Sequence, residues 1–183
     1  MNLQHKLAEL FARPLLDGSE SVEESALLVY GIEIFLNEFI KVIIIFLIAI
    51  FVGEVKIAVF GTCYLLLASQ CSGGRHFNSN VACTLFTIFT AFVGPMCVVM
   101  LQVPLWVMLG IAILETGLIY KFIPYIEEKT MNTAQSKRRK IIAILLFWFF
   151  VGITGLLGGK ALINGILFIE CIVILAAWKH KNI

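Results

Sequence analysis

Residues 39–52 read Phe-Ile-Lys-Val-Ile-Ile-Ile-Phe-Leu-Ile-Ala-Ile-Phe-Val. Lys41 is the only polar side chain among them. A helix that is apolar on every side belongs in a deep core or in lipid. Fourteen residues rise only about 21 Å, short of the roughly 30 Å hydrocarbon layer of a bilayer. A span built on this run must therefore begin near Gly31 or Ile32, and so takes in Glu33, Glu38 and Lys41. Upstream, Ser21-Val22-Glu23-Glu24 reads as a capping box, with Ser21 as N-cap and Glu24 reaching back. The helix is predicted from about Val22 to Val52. Before it, Met1–Arg13 places Leu3, Leu7, Leu10 and Phe11 on one helical face, with His5, Lys6, Glu9 and Arg13 elsewhere. That spacing suits a short helix lying on a membrane surface. Pro14 and the Asp17-Gly18-Ser19 turn end it. The segment has no apolar core and no small-residue cleavage site, so it does not read as a signal peptide.

The rest of the chain extends the same theme. Its 183 residues are 60% hydrophobic and 14% charged, with 15 Phe. Mean hydropathy is +0.97. Soluble domains are about 45–50% apolar and about 25% charged. This composition excludes a soluble single-domain enzyme, a disordered chain and a nucleic-acid-binding module. A net charge of +2 gives no global basic field. Further spans are predicted at Val55–Gln70, Val81–Leu101, Pro104–Tyr120, Ile141–Leu157 and Ala161–Trp178. Pro95 after Gly94 is expected to kink the third. The expected fold is all-α: six transmembrane helices plus the N-terminal amphipathic helix. Residues 1–183 then form one membrane domain, with 1–20 as surface helix and turn, 22–178 as the bundle and 121–140 as a basic cytoplasmic loop.

Basic residues orient the bundle. The connection between the fourth and fifth spans carries Lys121, Lys129, Lys137, Arg138, Arg139 and Lys140, and the tail carries Lys179 and Lys181. Positive residues favour the cytoplasmic side. With six spans both termini lie inside, and the basic residues divide 11 inside against 2 outside, Lys41 being within a span. The five cysteines are odd in number, and most sit in apolar runs, which is not a disulfide framework.

The chemistry is expected in the connection before the third span. It reads Cys71-Ser72-Gly73-Gly74-Arg75-His76-Phe77-Asn78-Ser79-Asn80, with Cys83 just beyond. Gly73-Gly74 breaks the helix, and Asn78, Ser79 or Asn80 can cap the next one. With Asn80 as N-cap, Cys83 lies in the first turn, where free N–H groups and the helix dipole favour a thiolate. His76 is seven residues away, too far along a straight helix, but within reach across a turn. One short stretch thus holds a nucleophile, a base and a way to join them. A free Cys in an apolar helix is more often a small buried hydrophobe, the reading given to Cys63, Cys97 and Cys171. A zinc site at Cys71, His76 and Cys83 fits no common spacing and lacks a fourth ligand. No metal and no cofactor are expected.

The Gly73-Gly74-Arg75-His76 run with Cys83 resembles the active-site segment of the accessory gene regulator B (AgrB) family. These are membrane cysteine endopeptidases of Gram-positive bacteria that process the precursor of a cyclic autoinducing peptide. The amphipathic start, the polar first span and the basic connection after the fourth resemble it too. The resemblance implies His76 as catalytic base, Cys83 as nucleophile and Gly74 as turn glycine. It implies an AgrD-like precursor as substrate and a multi-pass protein of the cell membrane with its active site on the cytoplasmic side. The family commonly has an Arg seven residues before the His; here that position is Ser69, with Arg75 as the nearby cation.

Other polar residues carry open alternatives. Glu33, Glu38, Lys41 and Glu115 lie in the inner halves of their spans, and Glu170 is near mid-span in the sixth. They either line a polar cavity open to the cytoplasm, with Glu38 and Lys41 paired, or make ordinary inter-helix contacts. Lys137, Arg138, Arg139 and Lys140 either meet anionic lipid headgroups or dock an acidic part of the substrate. Two other classes compete with the peptidase: a small transporter or exporter, and a non-catalytic membrane scaffold. A homodimer is expected.

Overall fold

A computed structural model describes residues 3–15, 22–72, 80–101, 103–123 and 133–181. Among these residues every regular element is helical. Six helices are long and apolar enough to cross a membrane: Glu23–Val52, Val55–Ser72, Val81–Val99, Leu105–Phe122, Gln135–Leu157 and Gly159–Trp178. A short helix, Leu3–Ala12, precedes them and runs into a single 3-10 turn, Arg13–Leu15. The chain is thus an all-helical, multi-pass membrane protein. Its surface carries Phe51, Trp106 and Leu156, while Thr62, Thr90, Asn164, Glu115 and Glu170 are buried. That distribution inverts the soluble pattern and suits a lipid solvent, where polar groups must be satisfied inside the protein.

The chain divides into two compact units, Met1–Leu47 and Ile48–Ile183. In the first, Leu7, Leu10 and Phe11 form an exposed apolar stripe on the N-terminal helix, while Ala8 and Ala12 are buried. The stripe expected from sequence is therefore free to meet a membrane surface. The expected capping Ser21 lies outside the described residues. The long helix that follows covers Val22–Val52, the range predicted.

In the second unit, tight glycine turns join neighbouring spans. Gly53 has φ +86°, a conformation that favours glycine. Its N–H donates to Ile50 O at 3.3 Å and to Ala49 O at 2.9 Å, and Glu54 N–H donates to Ala49 O at 2.9 Å. This is a Schellman end, which satisfies the last carbonyls of the first helix, and the next helix starts at Val55. Gly159, at φ +66° and ψ −163°, breaks the long helical run Thr133–Lys181 between the fifth and sixth spans. The helix of the fifth span starts at Thr133, so the basic run 137–140, expected in the loop, is helical.

The third span is irregular where Gly94-Pro95 made a kink expected. Pro95 has no N–H for the carbonyl four residues back, and its ring crowds that carbonyl. The helix responds one turn earlier with a π-helical turn, Phe89–Val93, in which Gly94 N–H donates to Phe89 O. The widened turn packs tightly. A methyl group on Gly61 of the second span would overlap the carbonyl of Ala91, and one on Gly94 would overlap the Phe168 ring. Asn164 Nδ2 of the sixth span donates to Leu101 O at 3.0 Å, fixing the far end of the third. The core gathers Tyr64, Met108, Ala112, Phe147, Phe150 and Ile166 from four spans.

Candidate functional site

Cys83 is the expected site residue that the structure describes on the third span. The helix begins at Asn80, so Cys83 falls in its first turn. It is buried, with 8% of its surface exposed. Its carbonyl accepts a hydrogen bond from Thr87 Oγ1 at 2.9 Å. Ala82, Cys83, Thr84 and Phe86 all make further contacts. Gly73, Gly74, Arg75 and His76 lie outside the described residues, as do Asn78 and Ser79. On the other flank of the connection, the second span stays helical to Ser72. Ser72 Oγ donates to Ala68 O at 2.9 Å, and Cys71 is buried. Ser69, the one departure from the resembled pattern, donates from Oγ to Leu66 O at 2.7 Å, within its own helix.

The cysteine expectation needs one correction. Cys63, Cys97 and Cys171 are exposed on the helix surfaces, not buried hydrophobes. A lipid-facing surface is apolar, so a thiol sits there without being packed. Cys71 and Cys83, which flank the connection, are the two that are buried.

The basic run divides by orientation. Lys137 and Arg138 are exposed, while Arg139 and Lys140 are half-buried. Lys140 Nζ lies 5.1 Å from the centre of the Tyr120 ring, a cation–π distance. The Arg139 guanidinium acts electrostatically on the Cys71 thiol at the end of the second span. One face of the run thus points at the bundle.

Intramembrane ionisable groups fall into two sets. In the first span, Lys41 is 1% exposed. Its Nζ donates to Glu38 Oε1 at 2.5 Å, the pairing expected from sequence. In the second unit, Glu115 and Glu170 are buried on the fourth and sixth spans. Tyr64 Oη of the second span donates to Glu170 Oε2. Its ring also packs against Phe150, with centroids 5.1 Å apart. Sequence reasoning did not single out Tyr64. The available signal was a tyrosine in the middle of an apolar helix, which needs a partner for its hydroxyl when buried. Among the described residues no three His, Cys, Asp or Glu side chains come together as a metal site.

No curated protein and no solved structure matches the chain. A family model, accessory gene regulator B, matches residues 5–180. Membership implies a membrane peptidase that processes an AgrD-like precursor of a quorum-sensing autoinducing peptide. With that match covering nearly its whole length, the chain belongs to the accessory gene regulator B family.

Proposed function

We propose that this chain is a membrane-embedded cysteine endopeptidase in which Cys83 is the nucleophile and His76 the base. The observation that carries the assignment is the position of Cys83, buried in the first turn of a membrane helix and directly after the connection that holds His76. First-turn N–H groups lie without intrahelical acceptors and carry the positive end of the helix dipole. They stabilise a thiolate there and offer donors to a developing oxyanion.

His76 takes the Sγ proton of Cys83, and the thiolate attacks a carbonyl near the C-terminal part of the precursor. The C–N bond breaks, and the tail leaves as an amine that receives its proton from His76. The remaining peptide is held as a thioester on Cys83. A side-chain thiol or hydroxyl of the same peptide then displaces Sγ, closing a thiolactone or lactone and returning the thiol. Amide to thioester is uphill, whereas thioester exchange is nearly isoenergetic. The site must therefore exclude water until the ring closes, which the burial of Cys83 favours.

The active site and both termini face the cytoplasm in this reading, because 11 of the 14 basic residues fall on that side. Lys137, Arg138, Arg139 and Lys140 dock an acidic part of the precursor. Glu38 and Lys41 form the polar stretch of the first span, and the protein works as a homodimer. The apolar stripe of Leu7, Leu10 and Phe11 holds the N-terminal helix on the membrane.

The test needs no substrate. Alkylation of each cysteine is followed by mass spectrometry against pH in detergent, for the parent and for His76→Ala. Cys71 is the fair reference, since it is also buried. The expected result is fast modification of Cys83 at neutral pH that falls about tenfold or more in His76→Ala. A Cys83 that reacts no faster than Cys71 and ignores His76 overturns the dyad.

A further inference from the structure

The second unit buries two carboxyl groups that the peptidase reaction does not use. Glu115 is 4% exposed on the fourth span and Glu170 is 2% exposed on the sixth. Ala112 and Ile119, one turn either side of Glu115, share one core with Tyr64 and with Ile166 and Ile174, one turn either side of Glu170. Glu170 is held through one oxygen by the Tyr64 hydroxyl. Glu115 Oε2 is buried and meets no donor among the described residues. The other titratable groups on which the cluster acts electrostatically are the buried Cys71 of the second span and the exposed Cys171 of the sixth. Arg139 acts on Cys71. No basic side chain acts on Glu115 or Glu170 among the described residues.

Two carboxylates in a membrane interior cannot both stay charged without compensation, because the bilayer and the packed helices offer no solvent to replace the lost hydration. The first span solves the same problem with Lys41. Here the chain supplies one hydroxyl and leaves one carboxylate oxygen empty-handed. We infer that Glu115, Glu170 and Tyr64 form an intramembrane site for one small monovalent cation, a proton or a sodium ion, exchanged with the aqueous phase.

The donor chemistry favours such a cation. All groups offered are hard oxygens, which suit protons and alkali ions rather than soft transition metals. Tyr64 holds one oxygen of Glu170, and Glu115 Oε2 is the buried oxygen without a donor among the described residues. The cluster is about 10 Å from Cys71 along the second helix, seven residues at 1.5 Å each. None of the three residues is Cys83 or His76, to which the peptidase proposal assigns the chemistry.

The test uses dicyclohexylcarbodiimide, an apolar reagent that couples to protonated carboxyl groups in apolar surroundings. The full chain in detergent is labelled in choline buffer from mildly acidic to mildly alkaline pH. It is then labelled with sodium replacing choline at constant ionic strength, and modification of each Glu is read by peptide mass spectrometry. Glu115→Gln assigns the signal. A proton site loses label as pH rises, about tenfold per pH unit beyond its midpoint. A sodium site loses label at fixed pH when sodium replaces choline. In either case Tyr64→Phe shifts the midpoint. Absence of label at every pH, or label indifferent to both pH and sodium, overturns the inference, since the carboxyls are then static. Neither result touches Cys83 or His76, so the outcome is independent of the peptidase assignment.

Discussion

The first span and the bundle of the second unit bury ionisable groups in opposite ways. In the first span, a lysine and a glutamate three residues apart neutralise each other within one helix. In the second unit, Glu115 and Glu170 come from different helices, and the single tyrosine hydroxyl there donates to Glu170 alone. The first arrangement is local, so it needs no tertiary fold to form. The second exists only when three helices are assembled, and it leaves an acceptor unmet. A charge pair built into one helix serves insertion and local stability. A carboxyl pair built across helices serves something that visits the site, since glue alone would have been satisfied more cheaply by hydrogen-bonding side chains without charge.

The contrast predicts where damage is greatest. Glu38→Gln removes the partner of a lysine that is 1% exposed, whereas Lys41→Met leaves a glutamate whose side chain is 34% exposed. Lys41 keeps other contacts when Glu38 is lost, so the expected cost falls below that of a fully stranded buried charge, at about 2 kcal/mol. Removing the buried charge costs about 1 kcal/mol or less, because Glu38 can be hydrated and methionine fills the space. Unfolding by titration with sodium dodecyl sulfate, read by circular dichroism, measures both. Equal losses for the two variants would mean that the pair is not organised around Lys41.

Legibility in the sequence follows the same division. Local features were readable. The range Val22–Val52 followed from an apolar run and its flanking cap, and the pairing of Glu38 with Lys41 from spacing on one helix. Gly94-Pro95 announced an irregular third span, although the form it takes, a π-helical turn at Phe89–Val93, depends on how Gly61 and Phe168 pack against it. The placement of Cys83 in a first helical turn was likewise local. What failed to show was which helix face meets which. Apolar helices have almost no polar side to orient them, so the meeting of Tyr64 with Glu170 could not be read. The exposed positions of Cys63, Cys97 and Cys171 escaped for the same reason.

The second prediction tests the tyrosine. Tyr64→Phe keeps the ring against Phe150 and removes only the donor to Glu170. Inter-helix hydrogen bonds inside membranes are worth about 0.6 kcal/mol on average and up to about 1.7. The expected loss is about 1 kcal/mol, in the same unfolding titration. A loss as large as that of Glu38→Gln would make Tyr64 the organiser of the bundle rather than a partner of one carboxyl.

The smallest effect has the opposite sign. Glu115 Oε2 is buried without a donor, and an unsatisfied buried polar atom destabilises a fold. Leucine has nearly the shape of the glutamate stem and no polar atom to satisfy. Glu115→Leu in sodium-free buffer is therefore expected to stabilise the protein by about 1 kcal/mol. The gain should shrink when sodium or acid supplies the missing partner to the parent, because the parent then recovers what the leucine variant already has. A Glu115→Leu protein that is less stable than the parent in sodium-free buffer would show that the fold already satisfies this carboxyl. The two sets of buried charge would then be handled alike.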